Sequence, residues 1–423
     1  MMRPEYRTEL LQMIWPYQAG RWFVSDAGEN VEVVKAGEYD PVTELFAGAE
    51  IVIGGVVFRG NVAFGTPEPA GFRLDNCVLQ VVAPGETTHI LKDDGAFLPQ
   101  VAVEAGAVTA AAYEMLREGV REYGCAHHIR KMENHERVAL FTRLLADRLR
   151  RKCNDLQRIY EECSQNWNET MYVMLLRTMG DHRNKEAFTE LARRVRYGYI
   201  SRERNSLEYV EALLLGTSGL LDLYQDDNYT RTLKTHFEYL RRKYSLTAML
   251  PREWTISQTN PNNHPVLRLA QMAAFLSTRE FLFENLIKCR TVDDVHSLFR
   301  AEASEYWSTH YIPAQRTDSR PKRIGHFKAN ILGINLAVPM MFSYGDYMND
   351  EGLKDASLDL LEKIVCEDNS IVNGWRTGGV PMESAFDSQA ILQLNNEYCL
   401  KGLCRQCAIG RRVVREVYAN EHA

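Results

Sequence analysis

The apolar pattern of this 423-residue chain changes its period near residue 105, and this change limits the folds that it can adopt. Between residues 21 and 105, short β-branched and aromatic runs such as AEIVIGGVVFRGNVAF alternate with Gly, Asp and Pro, which is typical of strands joined by turns. From Val108 onward, apolar residues recur with a helical period of about 3.6. We therefore predict an α+β fold, with a β-rich domain over residues 1–108 and a large all-α domain over residues 109–423.

Three local signals predict where individual helices begin. Thr291 followed by Asp294 fits an N-terminal capping box, and Pro265 suits the first turn of a helix. Asn184 precedes an amphipathic run and is predicted to cap its helix.

Charge and hydropathy indicate where the chain resides. No apolar run approaches the roughly 18 residues of a membrane helix, and charges interrupt the first fifteen residues, MMRPEYRTELLQMIW. We expect no secretory signal, no membrane partner, and a cytoplasmic protein with reduced thiols.

The net charge is -6, and residues 1–110 hold seven Lys and Arg against fifteen Asp and Glu. That acidic part is a poor surface for nucleic-acid phosphates.

Four segments carry a family resemblance: NWNETMYVMLLRTMGDHRNKEAF (166–188), NHPVLRLAQMAAF (263–275), LGINLAVPMMFSYG (332–345) and SQAILQLNNEYCLKGLCRQCAIG (388–410). Through them the chain resembles the uncharacterised bacterial domain-of-unknown-function 2851 family. The resemblance implies that the N-terminal part is similar to the metal-dependent restriction-endonuclease-like fold. In that fold, an Asp and a Glu on adjacent strands hold Mg²⁺.

The chain departs from that family pattern at the positions that would bind metal. The Gly60-Asn61-Val62 core is kept, but Ala63 stands for the Glu, Gly65 for the His and Leu45 for the Asp. We therefore expect a pseudoenzyme, a non-catalytic binding or scaffolding protein with a degenerate nuclease-like domain. Two alternatives stay open: the domain never was a nuclease, or it is a phosphodiesterase with relocated acids. The acids available for relocation are Glu32, Asp40, Glu44 and Glu50.

Basic and aromatic residues suggest nucleic acid as one ligand of the helical region. Five arginines lie on predicted helices, Trp254 and His264 bracket an Asn- and Pro-rich loop, and Arg268 follows this loop at a predicted helix start. The set is Arg148, Arg150, Arg151, Arg193, Arg194, Trp254 and Arg268. Solvated helix faces and a protein partner are the alternative interpretations.

The C-terminal segment contains three closely spaced cysteines, Cys399, Cys404 and Cys407. The C-x4-C-x2-C spacing also occurs in iron–sulfur proteins, and zinc accepts Cys₃His or Cys₄ sets. A fourth ligand would come from Cys366, Cys125 or a His, since His422 is the only downstream candidate. The alternative is that these cysteines pack as small apolar side chains.

Overall fold

The structure is a computed structural model that describes residues 4–65, 76–92, 95–119, 123–256 and 260–422. Within these ranges the N-terminal part is a mixed sheet and most of the rest is helical, so the predicted α+β fold is confirmed. No helix in the described ranges is both long and apolar enough to cross a membrane.

The described strands form one sheet. They are β1 (Trp22–Val24), β2 (Asn30–Lys35), β3 (Glu38–Tyr39), β4 (Phe46–Ile53), β5 (Val56–Phe64), β6 (Cys77–Val82) and β7 (Gln100–Ala102). Their order is β1-β2-β4-β5-β6-β7, and β3 pairs with β4. The β5–β6 and β6–β7 pairs are parallel, and the other pairs, including β4–β5, are antiparallel. Gly54 and Gly55 join β4 to β5 with φ angles of 57° and 84°, the left-handed backbone that a two-residue hairpin turn requires.

Helices make up most of the described chain after Ala102. The α-helices are α1 (Pro4–Ile14), α2 (Ala107–Glu118), α3 (Ala126–Lys131), α4 (Asn134–Glu162), α5 (Trp167–Met179), α6 (Asp181–Arg194), α7 (Tyr197–Glu203), α8 (Leu207–Glu211), α9 (Asn228–Tyr244), α10 (Pro265–Thr278), α11 (Leu282–Leu286), α12 (Val292–Leu298), α13 (Glu305–Ser308), α14 (His326–Leu332), α15 (Val338–Met348), α16 (Glu351–Lys363), α17 (Ser370–Thr377), α18 (Ala385–Gln393) and α19 (Ala408–Glu421). Wider π-helical turns occur at Ala212–Gly216, Gly333–Ala337 and Leu394–Cys399.

Two of the three predicted helix starts are confirmed. Thr291 and Asp294 form the capping box of α12, and Pro265 opens α10. The prediction for Asn184 is wrong, because this residue lies inside α6. Its amide donates to the Thr255 carbonyl at 3.0 Å and accepts from the Thr255 N–H at 2.8 Å, so it tethers a distant loop instead of capping its own helix.

Packing divides the chain into two compact units. Unit 1 comprises Met1–Leu140, Asn369–Pro381 and Ile391–Ala423, and unit 2 comprises Phe141–Asp368 and Met382–Ala390. Unit 1 therefore combines the sheet with the C-terminal segment. Unit 2 encloses a continuous core of aliphatic and aromatic side chains that includes Trp307, Phe275 and Phe299. The predicted linear division at residue 108 stays a prediction.

Candidate functional site

The two positions at which the resemblance implied metal-binding acids are apolar and buried. Leu45 directly precedes β4 and Ala63 lies in β5, two strands that pair with each other. Leu45 is 5% exposed and Ala63 is 0% exposed. Both belong to one hydrophobic cluster with Cys77, Ile90 and Leu98. Neither of these two positions therefore offers a carboxylate to a hard cation.

Three of the four acids proposed as replacements have partners within the chain. Asp40 accepts from the Val42 N–H at 2.9 Å and from the Thr43 hydroxyl at 2.8 Å, and these bonds lower the pKa of its carboxyl group. Glu44 pairs with Arg405 at 3.1 Å, and Glu50 pairs with Arg59 at 3.1 Å.

These acids do not form a metal site together with Glu32 of β2. Across the described ranges, no group of three or more His, Cys, Asp or Glu side chains is arranged so that it could hold a single metal ion.

Five of the arginines predicted to bind nucleic acid lie on α4 and α6, and each of the five interacts with other residues of the chain. Arg148 donates to Gln389 at 2.6 Å, and Arg150 pairs with Asp147 at 3.2 Å. Arg193 pairs with Glu162 at 2.7 Å, and Arg194 with Glu190 at 2.8 Å. Arg151, also on α4, is exposed. Their role toward nucleic acid stays a prediction.

Trp254 and Arg268 are buried structural residues in this fold. The Trp254 indole donates to the Ser218 carbonyl at 2.9 Å and packs edge-on against Phe188. The Arg268 guanidinium donates to Gln271 at 2.9 Å and to Asn263 at 2.6 Å. Neither side chain is presented to a base or a phosphate, because both are more than nine-tenths buried.

A buried histidine caps α10, a role that the sequence patterns did not indicate. His264 Nδ1 accepts from the Val266 N–H at 3.3 Å, and its Nε2 lies 3.1 Å from the Tyr224 hydroxyl. The cap requires a neutral ring with Nδ1 unprotonated, so the proton resides on Nε2 and is donated to Tyr224. Burial lowers the pKa of His264 from 6.5 to about 4.

The His264 pKa predicts a loss of stability in mild acid. The unfolded state binds a proton near pH 6.5 and the folded state only near pH 4, so the stabilisation is complete above pH 6.5 and declines as the pH falls toward 4. We expect this residue alone to lower the free energy of unfolding by about 3 kcal/mol over that range. Urea unfolding from pH 7 to pH 4 measures it, with His264→Gln as the control. If the wild-type and variant curves stay parallel, His264 does not contribute.

Unit 2 also contains a buried ion pair that the sequence patterns did not indicate. Lys328 Nζ on α14 lies 2.5 Å from Asp181 Oδ1 at the start of α6, and it donates to the Thr178 carbonyl at 3.1 Å. The Lys328 side chain is 5% exposed and that of Asp181 is 38% exposed. Burial lowers the pKa of Lys328, while Asp181 opposes that shift.

The three C-terminal cysteines and Cys125 line one cavity in unit 1. Its wall is otherwise aromatic, aliphatic or glycine, including Tyr123, Trp375, Leu394, Tyr398 and Ile409. Cys366, the other cysteine suggested as a fourth ligand, belongs to unit 2 and is not among the lining residues.

The cavity raises the pKa of three of its thiols, Cys125, Cys399 and Cys404. Burial raises the pKa of Cys125 to about 12 and that of Cys404 to about 11, and it raises the pKa of Cys399 as well. The neighbouring cysteines add to these shifts, because thiolates repel one another at close range. All nine cysteines are reduced thiols in the structure. A thiolate would form here only with a positive charge to balance it.

The comparisons with known proteins identify a family. No curated protein and no solved structure matches the chain significantly. The family model described as "Protein of unknown function (DUF2851)" matches residues 8–370, which leaves Cys399, Cys404 and Cys407 beyond its end. The match covers the sheet and most of the helical region, and it includes the first three of the four segments quoted above, while the fourth, residues 388–410, lies beyond its end. The chain therefore belongs to the DUF2851 family.

Proposed function

We propose that this protein is a non-catalytic binding or scaffolding protein, and that its sheet derives from a nuclease-like fold that has lost its metal site. One observation carries the proposal: Leu45 and Ala63 lie together in an apolar cluster where the family pattern calls for an Asp and a Glu. A hard divalent cation prefers clustered carboxylates, and methyl and isobutyl groups cannot replace them.

The absence of hydrolysis is the first testable consequence. We expect the full chain to cleave neither DNA nor RNA with Mg²⁺ or Mn²⁺, because no described acid cluster could hold the ion. The measurement is a fluorescent cleavage assay on single- and double-stranded substrates. Glu44→Ala and Glu50→Ala serve as controls for a contaminating nuclease. Metal-dependent cleavage that Glu44→Ala abolishes would instead support the phosphodiesterase alternative.

Nucleic acid is the ligand that the exposed arginines of α4 and α6 support. The Arg150 and Arg193 side chains are 72% and 48% exposed, and their partners are surface acids. Such pairs contribute only about 0–1 kcal/mol, so a phosphate can replace the carboxylate at little cost. Binding through these side chains would therefore require no rearrangement of the fold.

A salt titration tests the nucleic-acid ligand. We expect the affinity for a labelled oligonucleotide to fall steeply with salt, and the Arg150→Ala/Arg193→Ala double variant to reduce the slope by about two. Arg59→Ala, which removes an equally exposed arginine from the sheet, is the matched control. Salt-independent binding, or none, would favour a protein partner.

A further inference from the structure

Four cysteines from distant parts of the sequence converge on the cavity in unit 1. Cys125 lies between α2 and α3, Cys399 ends the last π-helical turn, and Cys404 and Cys407 lie in the turn before α19. The last three are buried and Cys125 is partly buried. Cysteines that only fill the core would be expected at unrelated places, whereas cysteines that bind a common centre must line the same cavity.

The backbone of the cysteine turn follows a path that depends on glycine. Gly402 has a φ of 65°, a conformation that favours glycine. A Cβ at Gly410 would lie 2.3 Å from the Cys404 carbonyl oxygen, so the first turn of α19 can approach the Cys404–Cys407 segment only without a side chain there. Arg117 donates to the Gly402 carbonyl and fastens the turn to α2. The turn is therefore held in place by contacts outside itself.

The electrostatic setting suits thiolates that are bound to a metal. Cys407 is the N-cap of α19, a 14-residue helix, so its sulfur lies at the positive end of the helix dipole. The residues lining the cavity include no Asp, Glu or His. A ligand set of sulfur alone selects zinc or iron–sulfur centres and excludes Mg²⁺ and Ca²⁺.

We propose that Cys125, Cys399, Cys404 and Cys407 bind an iron–sulfur cluster. A single zinc ion with Zn–S bonds of about 2.3 Å would bring the four sulfurs to within about 3.8 Å of one another. The thiols do not have that single-ion arrangement. A four-iron cube holds its thiolate ligands further apart, since each sulfur binds a different iron atom. On binding, each thiol releases its proton to solvent as its sulfur–iron bond forms. The positive iron atoms then balance the negative charge of the four thiolates in place of the four protons.

The cluster would connect the C-terminal segment to the region between α2 and α3 within unit 1. Apolar and aromatic walls, chiefly Trp375, Tyr123 and Ile409, would shield it from water. Burial of this kind controls the reduction potential and the oxygen sensitivity of such centres. This inference is independent of the proposed binding role, because it rests on residues outside the hydrophobic cluster that contains Leu45 and Ala63.

The test uses the full chain, purified without oxygen and then reconstituted with ferric iron, sulfide and excess dithiothreitol, which supplies the electrons for reduction to a [4Fe–4S] cluster. We expect about four iron and four sulfide per chain, with broad sulfur-to-iron absorption in the visible region. Cys125→Ala and Cys404→Ala should each lose most of the iron. Cys77→Ala, which removes a buried thiol from β6 of the same unit, should load like the wild type.

A second measurement covers the case in which a cysteine variant fails to fold. In the wild-type chain, cluster loading should protect Cys125, Cys399, Cys404 and Cys407 from alkylation, as read by peptide mass spectrometry, and leave Cys163 unprotected. Wild-type chain that retains no iron would overturn the proposal, and so would full loading of Cys125→Ala. Stoichiometric zinc with no capacity for iron and sulfide would overturn the cluster in favour of a zinc centre.

Discussion

Ala63→Glu is expected to destabilise unit 1 severely instead of restoring a nuclease. Ala63 is fully buried in β5 and contacts the cluster that contains Leu45. A carboxylate there would lose its hydration without gaining a cation or a hydrogen-bond donor, and the longer side chain would also overpack the cluster. We expect the free energy of unfolding to fall by about 4 kcal/mol or more. Urea unfolding followed by circular dichroism measures the change.

The matched control places the same charge on the same strand at an exposed position. Val56 is 57% exposed at the start of β5, so Val56→Glu should change the free energy of unfolding by about 0.5 kcal/mol or less. The double variant Leu45→Asp/Ala63→Glu supplies both acids of the family pattern. If it folded stably and cleaved DNA with Mg²⁺, the cluster would not be the packed core that we describe.

Asp181→Asn should produce the second large loss of stability. The substitution removes the charge opposite Lys328, while Asn still tolerates the left-handed backbone of residue 181, whose φ is 49°. Lys328 would then be a buried cation bonded mainly to the Thr178 carbonyl. Removing one partner of a buried pair typically costs about 3–5 kcal/mol, and the partial exposure of Asp181 puts our expectation near the lower end, about 3 kcal/mol.

A double-mutant cycle separates the ion pair from the fold around it. Lys328→Met in the Asp181→Asn background should recover part of the loss, because it removes the unpaired charge. Glu351→Gln is the control: the Glu351 side chain, which pairs with Lys354, is 71% exposed, so we expect a change of less than about 1 kcal/mol. A loss for Asp181→Asn as small as that for Glu351→Gln would show that Lys328 is not desolvated.

Local patterns were reliable where the interaction is local. The capping box of Thr291 and Asp294 closes within one helical turn, and Pro265 starts α10 because its fixed φ suits a first turn. Asn184 has the same local chemistry as a cap, but its amide bonds to Thr255, a loop residue that no helical pattern relates to it. The burial of Trp254 depends on Phe188, a residue far away in the sequence that no local pattern relates to it.

The sequence by itself determined the α+β class, the family and the apolar identity of residues 45 and 63, because hydrophobic period and residue identity are properties of the chain alone. Only the tertiary structure decided which of several cysteines joins Cys399, Cys404 and Cys407, and that Lys328 meets Asp181. The physical reason is that folding brings together residues that lie far apart in the sequence. The burial that shifts a pKa or excludes a cation exists only in the folded chain.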